Sequence, residues 1–319
     1  MLDFIKEGLF LIELKNVSKK YGNFKAIDDI SFKIEKGEIV GFLGQNGAGK
    51  TTTMKLITGF LEPTCGEVLI DGEKLTRKSK HKIGYMPENT PLYSSLTVRE
   101  FLDFMAELKG LKKLERKESI NKLIKKLNLT EVEKVLIKNI SRGYKQRVSL
   151  AGALIGNPEI LILDEPTVGL DPKQIIEIRN LIKSLKNEHT VLLSSHILSE
   201  INQICEKVII IDKGKIIAID TPKNLEEKIK NNVINLIVED SKNWMGNIKE
   251  KIPEIIDIKL LSENGKEKSY ELSIKENFDI RKKLFEILPK ENINIIELKK
   301  VQSTLEEVFM DLIEEEGAK

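Results

Sequence analysis

The sequence predicts an α/β protein with a mixed sheet at its centre and a smaller α+β domain after it. Three observations predict this. The apolar run Glu38-Ile-Val-Gly-Phe-Leu43 enters a glycine-rich stretch, Gly44 to Thr51, and leaves it on a helix-forming segment that reaches Thr58. Beyond residue 157, strand-length apolar runs alternate with segments of helical period, the form of a sheet whose parallel strands are joined by helices. From residue 231 the order becomes strand, helix, strand, strand, helix, strand.

The first ten residues, MLDFIKEGLF, are a short amphipathic stretch ahead of the first strand signal. From Leu11 to Leu43 apolar and polar residues alternate, as in Ile12 to Val17 and Ile30 to Ile34, with turn residues at Tyr21-Gly22-Asn23 and Lys36-Gly37. This predicts an antiparallel β subdomain feeding the central strand. Gly66 to Asp71 and Lys82 to Met86 add two strands. Beyond Thr97 the apolar spacing changes to three and four, predicting helices over Thr97–Lys109, Glu115–Leu127 and Arg142–Gly156, capped at Thr97 and Ser141. Together they make a helical insert over about 90–157. Strands return at Ile160–Leu163, Thr190–Leu193, Val208–Ile211 and Lys215–Ile219, with helices over Pro172–Lys186 and Ile197–Glu206.

A break at Thr221-Pro222 and a helix to about Lys230 close a first domain, residues 1–230. The second, 231–319, takes strands at 233–239, 255–261, 268–274 and 293–299, helices at about 243–251 and 278–288, and a turn at Glu263-Asn-Gly265. That order is ferredoxin-like. A last helix, Ser303–Glu315, opens on a capping box of Ser303 and Glu306.

Composition narrows the partners. Charged residues are 32% of the chain, but 52 basic against 50 acidic leave a net charge of only +2. Duplex nucleic-acid binders carry a pronounced basic field, so nucleic acid is not the expected partner. The lysine-rich patches at Arg77–Lys82 and Lys109–Lys117 lack interleaved aromatics and read as solvated faces. Cys65 and Cys205 have no metal-ligand spacing and read as free thiols in a reducing compartment. No apolar run reaches the roughly 18 residues a membrane-spanning helix needs. The expected location is cytoplasmic, with any membrane role supplied by a separate subunit.

Gly44-Gln-Asn-Gly-Ala-Gly-Lys-Thr51 fits the phosphate-binding pattern GxxxxGK[ST] in full. Gly44, Gly47 and Gly49 accept conformations closed to residues with side chains, so consecutive N–H groups can converge on phosphate oxygens. Lys50 adds a charge at the β- and γ-phosphates, and the Thr51 hydroxyl suits Mg²⁺. Gln45, Asn46, Ala48 and Thr52 complete the expected contact set. A second stretch, Ile160-Leu-Ile-Leu-Asp-Glu165, is a buried strand that delivers two carboxylates to the sheet edge where ligands bind in open α/β folds. Asp164 there can hold Mg²⁺ through water, and Glu165 can orient or deprotonate an attacking water. Between them, Ile140-Ser-Arg-Gly-Tyr opens a helix. Its N-terminal groups could bind an anion, and a plain helix start explains it equally well.

The set, over about residues 11–230, resembles the ATP-binding subunit of an ABC transporter. The phosphate loop matches Walker A, Ile160 to Glu165 matches Walker B, and Ile140 to Tyr144 matches a looser form of the LSGGQ signature. Val168-Gly-Leu-Asp171 matches the D-loop, His196 the switch histidine, and Tyr21 the aromatic that stacks on adenine. The resemblance implies a P-loop NTPase fold with an ABC-type ATPase core, ATP and Mg²⁺ as cofactors, and a head-to-tail homodimer. ATP then lies between Lys50 of one copy and Ser141 and Gly143 of the other. It also implies that Glu165 is the general base, that His196 contacts the γ-phosphate, and that Asp171 communicates across the dimer. Transmembrane permease subunits on other chains complete such a transporter.

Two departures stand out. Glu88, in Tyr85-Met-Pro-Glu88, replaces the usual Q-loop glutamine, a form similar to the drug-resistance and lipid exporter branch. A carboxylate there still suits Mg²⁺. Arg142 and Tyr144 replace the usual glycine and glutamine of the signature. The expected function is an ATPase that powers export, peripheral to the inner face of the cell membrane. The competing class is a soluble ABC ATPase acting on ribosomes or DNA, against which count a single phosphate loop and no sustained heptads. A P-loop GTPase or kinase would need base-reading or acceptor motifs that are not found.

Overall fold

A computed structural model describes residues 10–225, 233–239, 245–275 and 278–300. The chain divides into two compact units, Met1–Pro222 and Lys223–Lys319. The last expected helix, Ser303–Glu315, and the helix continuing to Lys230 lie outside the described residues.

The first unit opens on a hairpin of β1 (Phe10–Tyr21) and β2 (Phe24–Glu35), each of 12 residues. Both run longer than their alternating cores suggest. Register shifts near Val17 let pairing continue past Asn16 and Asp29, which take left-handed φ of 48° and 54° and bond to each other through Asn16 Nδ2 and Asp29 Oδ1 at 3.1 Å. A bulge breaks the two-residue period, so alternation alone stops short of the true strand. With β4 (Cys65–Ile70) and β5 (Glu73–Lys74) they form an antiparallel sheet in the order β2-β1-β4-β5.

The central sheet has the order β10-β9-β3-β8-β7-β6. Its strands are β3 (Ile39–Leu43), β6 (Ile83–Met86), β7 (Ile160–Leu163), β8 (Thr190–Ser195), β9 (Lys207–Asp212) and β10 (Lys215–Asp220). All neighbours pair in parallel except β10 and β9, so the sheet is mixed. Strands β3, β7 and β8 are buried at every position, which is why they read as unbroken apolar runs. Helix α1 (Lys50–Ile57) follows β3, and its Met54, Leu56 and Ile57 share one core with Ile12, Leu14 and Ile30 of the antiparallel sheet and Val40, Phe42 and Leu192 of the central one.

After α2 (Arg77–Lys80) comes the helical insert of α3 (Val98–Leu108), α4 (Lys113–Lys126) and α5 (Arg142–Leu154). Thr97 and Glu100 close a capping box on α3, and Ser141 caps α5. Helices α6 (Pro172–Ser184) and α7 (Leu198–Ile204) lie between the later strands.

In the second unit, β11 (Val233–Glu239), β12 (Ile255–Asn264), β13 (Glu267–Ile274) and β14 (Asn294–Lys300) form an antiparallel sheet in the order β12-β13-β11-β14. That order, with helices at Met245–Lys251 and Arg281–Ile287, is the ferredoxin-like arrangement. Its core gathers Ile234, Leu236, Val238, Tyr270 and Leu272 with Ile248 and Leu284 from the helices. The hairpin turn falls one residue later than expected, because Asn264 still pairs with Glu267 and Gly265 takes the left-handed φ of 64°.

His189, just before β8, is 3% exposed and its Nδ1 lies 2.6 Å from Pro158 O. Burial holds its pKa below the ordinary value. The Pro158 carbonyl and Glu188 oppose that shift, while Lys126 and Lys122 add to it. The folded chain therefore takes up this proton less readily than the unfolded one. Stability falls as pH drops through about 6.5, by at most about 1.4 kcal/mol per pH unit. Urea melts at about pH 7.5 and 5.5 should show this loss, and His189→Asn, which keeps a donor toward Pro158, should shrink the difference.

Candidate nucleotide site

The site is built where β3 passes into α1. Gly47 and Gly49 have φ of 85° and 112°, which turn the loop back on itself. Gly44 does not: its glycine is required by packing, since a Cβ there would sit 2.5 Å from Ile211 O on β9. The expectation that all three glycines serve backbone conformation is corrected for Gly44. The α1 N-terminus begins at Gly49 with no side-chain cap and no acidic residue in its first turn, so its N–H groups are open to an anion.

A cleft of about 520 Å³ is lined by Gln45, Asn46, Gly47, Gly49, Lys50, Thr51 and Thr52 on one wall. Glu88, Glu165, Val168 and His196 line it too, as do Tyr21, Phe24 and Ala26. Gly44 and Ala48 are buried behind the loop. The turn between β9 and β10 braces it, for Gly214 N–H donates to Ala48 O at 2.9 Å and Gly214 O accepts from Asp28 N–H at 2.8 Å.

Charge is concentrated along the cleft floor. Lys50, 6% exposed, donates from Nζ to Gly44 O at 2.7 Å and to Gln45 O at 3.3 Å. The same Nζ lies 3.4 Å from Glu165 Oε1, an ion pair without hydrogen-bond alignment. Glu165 Oε2 meets His196 Nδ1 at 2.9 Å, so a proton on Nδ1 satisfies the contact. Glu165 has φ of 51°, which a residue with a side chain resists by about 1–2 kcal/mol. Its N–H donates to Ser194 Oγ at 2.8 Å, and that hydroxyl donates to Asp164 Oδ1 at 2.6 Å. Asp164 Oδ2 is buried and has no partner among the described residues. The Tyr85 hydroxyl is likewise buried and unpartnered. Burial, with Asp164 and Glu88 nearby, pushes its pKa up to about 12 and keeps it neutral.

Ser141, Gly143 and Asp171 are not in this cleft. Ser141 caps α5 by accepting from Tyr144 N–H, and Asp171 caps α6 by accepting from Gln174 N–H at 2.9 Å. Ser141 and Gly143 line a second cavity with Tyr144, Arg147, Gln174 and Glu177. A Cβ on Gly143 would lie 2.8 Å from Gln174 Cδ, so the Gln174 amide rests against this glycine. Arg142 lies over Gly169, and its Nη2 donates to Val168 O at 3.1 Å, tying the first residue of α5 to the segment after Glu165.

Sequence reasoning missed Phe24, Ala26, Ser194 and Gly214. Phe24 was recoverable: a two-residue hairpin turn makes it the cross-strand partner of Tyr21. The others enter through tertiary pairing, which no local pattern encodes.

A P-loop between strand and helix, two carboxylates at the end of β7, which β8 separates from β3, and a histidine after β8 define a nucleotide-hydrolysing class. An ABC transporter family model matches residues 27–168. An uncharacterized ABC transporter ATP-binding protein of Bacillus subtilis (strain 168), YhcH, is 37% identical over 309 residues, 95% of each chain. The bacitracin transport ATP-binding protein BcrA of Bacillus licheniformis is 42% identical over 212 residues, 65% of this chain and 68% of that one. Among solved structures, an ATP-binding subunit of an ABC transporter superposes with a TM-score of 0.62 at 32% identity, covering 68% of this chain and 92% of that one. The chain belongs to the ATP-binding, ATP-hydrolysing subunits of ABC transporters.

The two glycine requirements separate experimentally. Gly44→Ala should lower stability by about 1–3 kcal/mol through its clash with β9. Gly47→Ala, with no atom within 4 Å of the added Cβ, should carry only the smaller left-handed backbone cost. Chemical denaturation of both variants checks the order.

Proposed function

We propose that this subunit hydrolyses ATP to drive export of a substrate through transmembrane subunits on separate chains, from the cytoplasmic face of the membrane. The relative named for bacitracin transport supports the transport reading. Among the described residues no helix is long and apolar enough to cross a membrane, which fits a peripheral subunit.

One observation carries the catalytic reading: Lys50, Glu165 and His196 make a continuous run of polar contacts along one cleft. In this reading adenine stacks on Tyr21 and the phosphates lie on the loop from Gly44 to Thr52. Lys50 neutralises charge at the β- and γ-phosphates, and His196 contacts the γ-phosphate. Glu165 accepts the proton of the attacking water. A second copy, head to tail, brings its Ser141 and Gly143 against the same phosphate, and Asp171 relays between copies. The separation of the Ser141 cavity from the cleft supports this need for a partner.

Mg²⁺ fits the donor set. Among the described residues no cluster of three or more His, Cys, Asp or Glu could hold a metal alone. Mg²⁺ takes one or two protein oxygens and draws the rest from water and phosphate. Thr51 and Glu88 face the cleft, and Asp164 keeps a buried oxygen without a partner. When bound, the ion neutralises phosphate charge.

Glu165→Gln should retain ATP binding and lose about 10²- to 10⁴-fold in turnover. Normal phosphate release in that variant would sink the base assignment. The transport reading is tested by affinity purification of the tagged chain from detergent-solubilised host membranes, with mass spectrometry of its companions. A polytopic membrane chain is expected; ribosomal or DNA-repair proteins with no membrane subunit would overturn it.

A further inference from the structure

We infer that Glu200, which lies outside the nucleotide cleft, is a positioning residue that clamps together the two segments presenting Glu165 and His196. The inference rests on the catalytic reading of those two residues. Glu200 sits in the first turn of α7 and is 4% exposed. Its Oε2 accepts from Thr167 Oγ1 at 2.5 Å and lies 3.4 Å from Ser195 Oγ, whose one proton is shared between this carboxylate and Ile197 O at 3.3 Å. Thr167 is two residues beyond Glu165, and Ser195 immediately precedes His196. One carboxylate oxygen thus bridges the loop after β7 and the end of β8.

The other oxygen, Oε1, is buried and has no partner among the described residues. A buried carboxylate half-satisfied in this way is costly, and an apolar side chain of equal length would fill the space without that cost. What an apolar side chain cannot do is accept from both hydroxyls at once. The bridge falls where the backbone most needs holding. Glu165 stands at a φ of 51°, and Ser194 restrains it from one side through its N–H. Thr167 and Glu200 restrain the chain just beyond it. On the other strand, Ser195 Oγ accepts from Ile197 N–H at 2.9 Å, which turns the chain past His196 into α7. Glu200 therefore fixes both sides of the 2.9 Å contact between Glu165 and His196 without touching either. Small misplacements of a reacting group lower rates severely, while Lys50 and the α1 N-terminus, which hold the phosphates, are untouched.

The full chain is tested as Glu200→Met, which keeps length and helix propensity but cannot accept, and as Thr167→Val, which removes the donor from the opposite side. Each should lower kcat by about tenfold or more, with the ATP dissociation constant within about twofold of the parent. Glu200→Gln keeps an acceptor oxygen and should recover most of the rate. On a Glu165→Gln background, Glu200→Met and Thr167→Val should each cost clearly less than on the parent, because only His196 is left to position. A purely structural role would give the same fold-loss on both backgrounds, and that result overturns the inference. So does unchanged kcat in both variants, or a loss matched by weakened ATP binding. Normal turnover in Glu165→Gln alone would instead overturn the general-base reading beneath it.

Discussion

The chemistry of this subunit hangs on the parallel register of β7 and β8. Leu163 pairs with Leu193, so Asp164, just past the end of β7, lies beside Ser194, which is still within β8. The Ser194 hydroxyl can then give its proton to Asp164 Oδ1 while accepting the Glu165 N–H. One hydroxyl fixes a carboxylate and a strained backbone together. A slip of one residue would turn every side chain of β8 to the opposite face and leave Asp164 and Glu165 without this anchor. The 2.9 Å approach of Glu165 to His196 follows from the same register, since His196 comes two residues after Ser194.

The phosphate loop is held just as firmly from behind. Gly44 admits the Ile211 carbonyl of β9, and Gly214 bonds both Ala48 and Asp28. Strand β9, the β9–β10 turn and the first hairpin thus shape the loop before any ligand contact. A loop held in this way meets an anion with N–H groups already aimed, and little ordering entropy remains to be lost on binding. The N-terminal half of α5 is anchored differently. Arg142 and Gln146 donate to Val168 O and Pro166 O, so the residues following Glu165 are tied to the helix that begins at the signature. Two hydrogen bonds therefore join α5 to the residues just beyond Glu165.

The second unit has its own core and no motif that carries chemistry. Its outer strand β12 bears exposed Ile256, Leu260 and Leu261, a pattern that invites edge pairing. Register shifts beside Ile256 and Leu261, together with Lys249 bonding the Ile256 carbonyl, work against that pairing. Bulges and lysines are the usual means by which a sheet keeps an open edge from aggregating.

Much of this was legible in the chain alone. Contiguous stretches carried it: the loop from Gly44 to Thr51, the run ending in Asp164 and Glu165, the cap at Ser141, and the ferredoxin-like order of the last strands. In each case the residues that meet in space are neighbours in sequence, or obey a short period that local geometry imposes. Tertiary structure alone decided why Gly44 must be glycine, that Ser194 and Glu200 brace the carboxylates, and that Ser141 and Gly143 open on a different cavity from Lys50. These depend on which strand lies beside which and in what register. Such pairings join residues from about 30 to 170 positions apart, so the side chains in between leave no periodic trace of them.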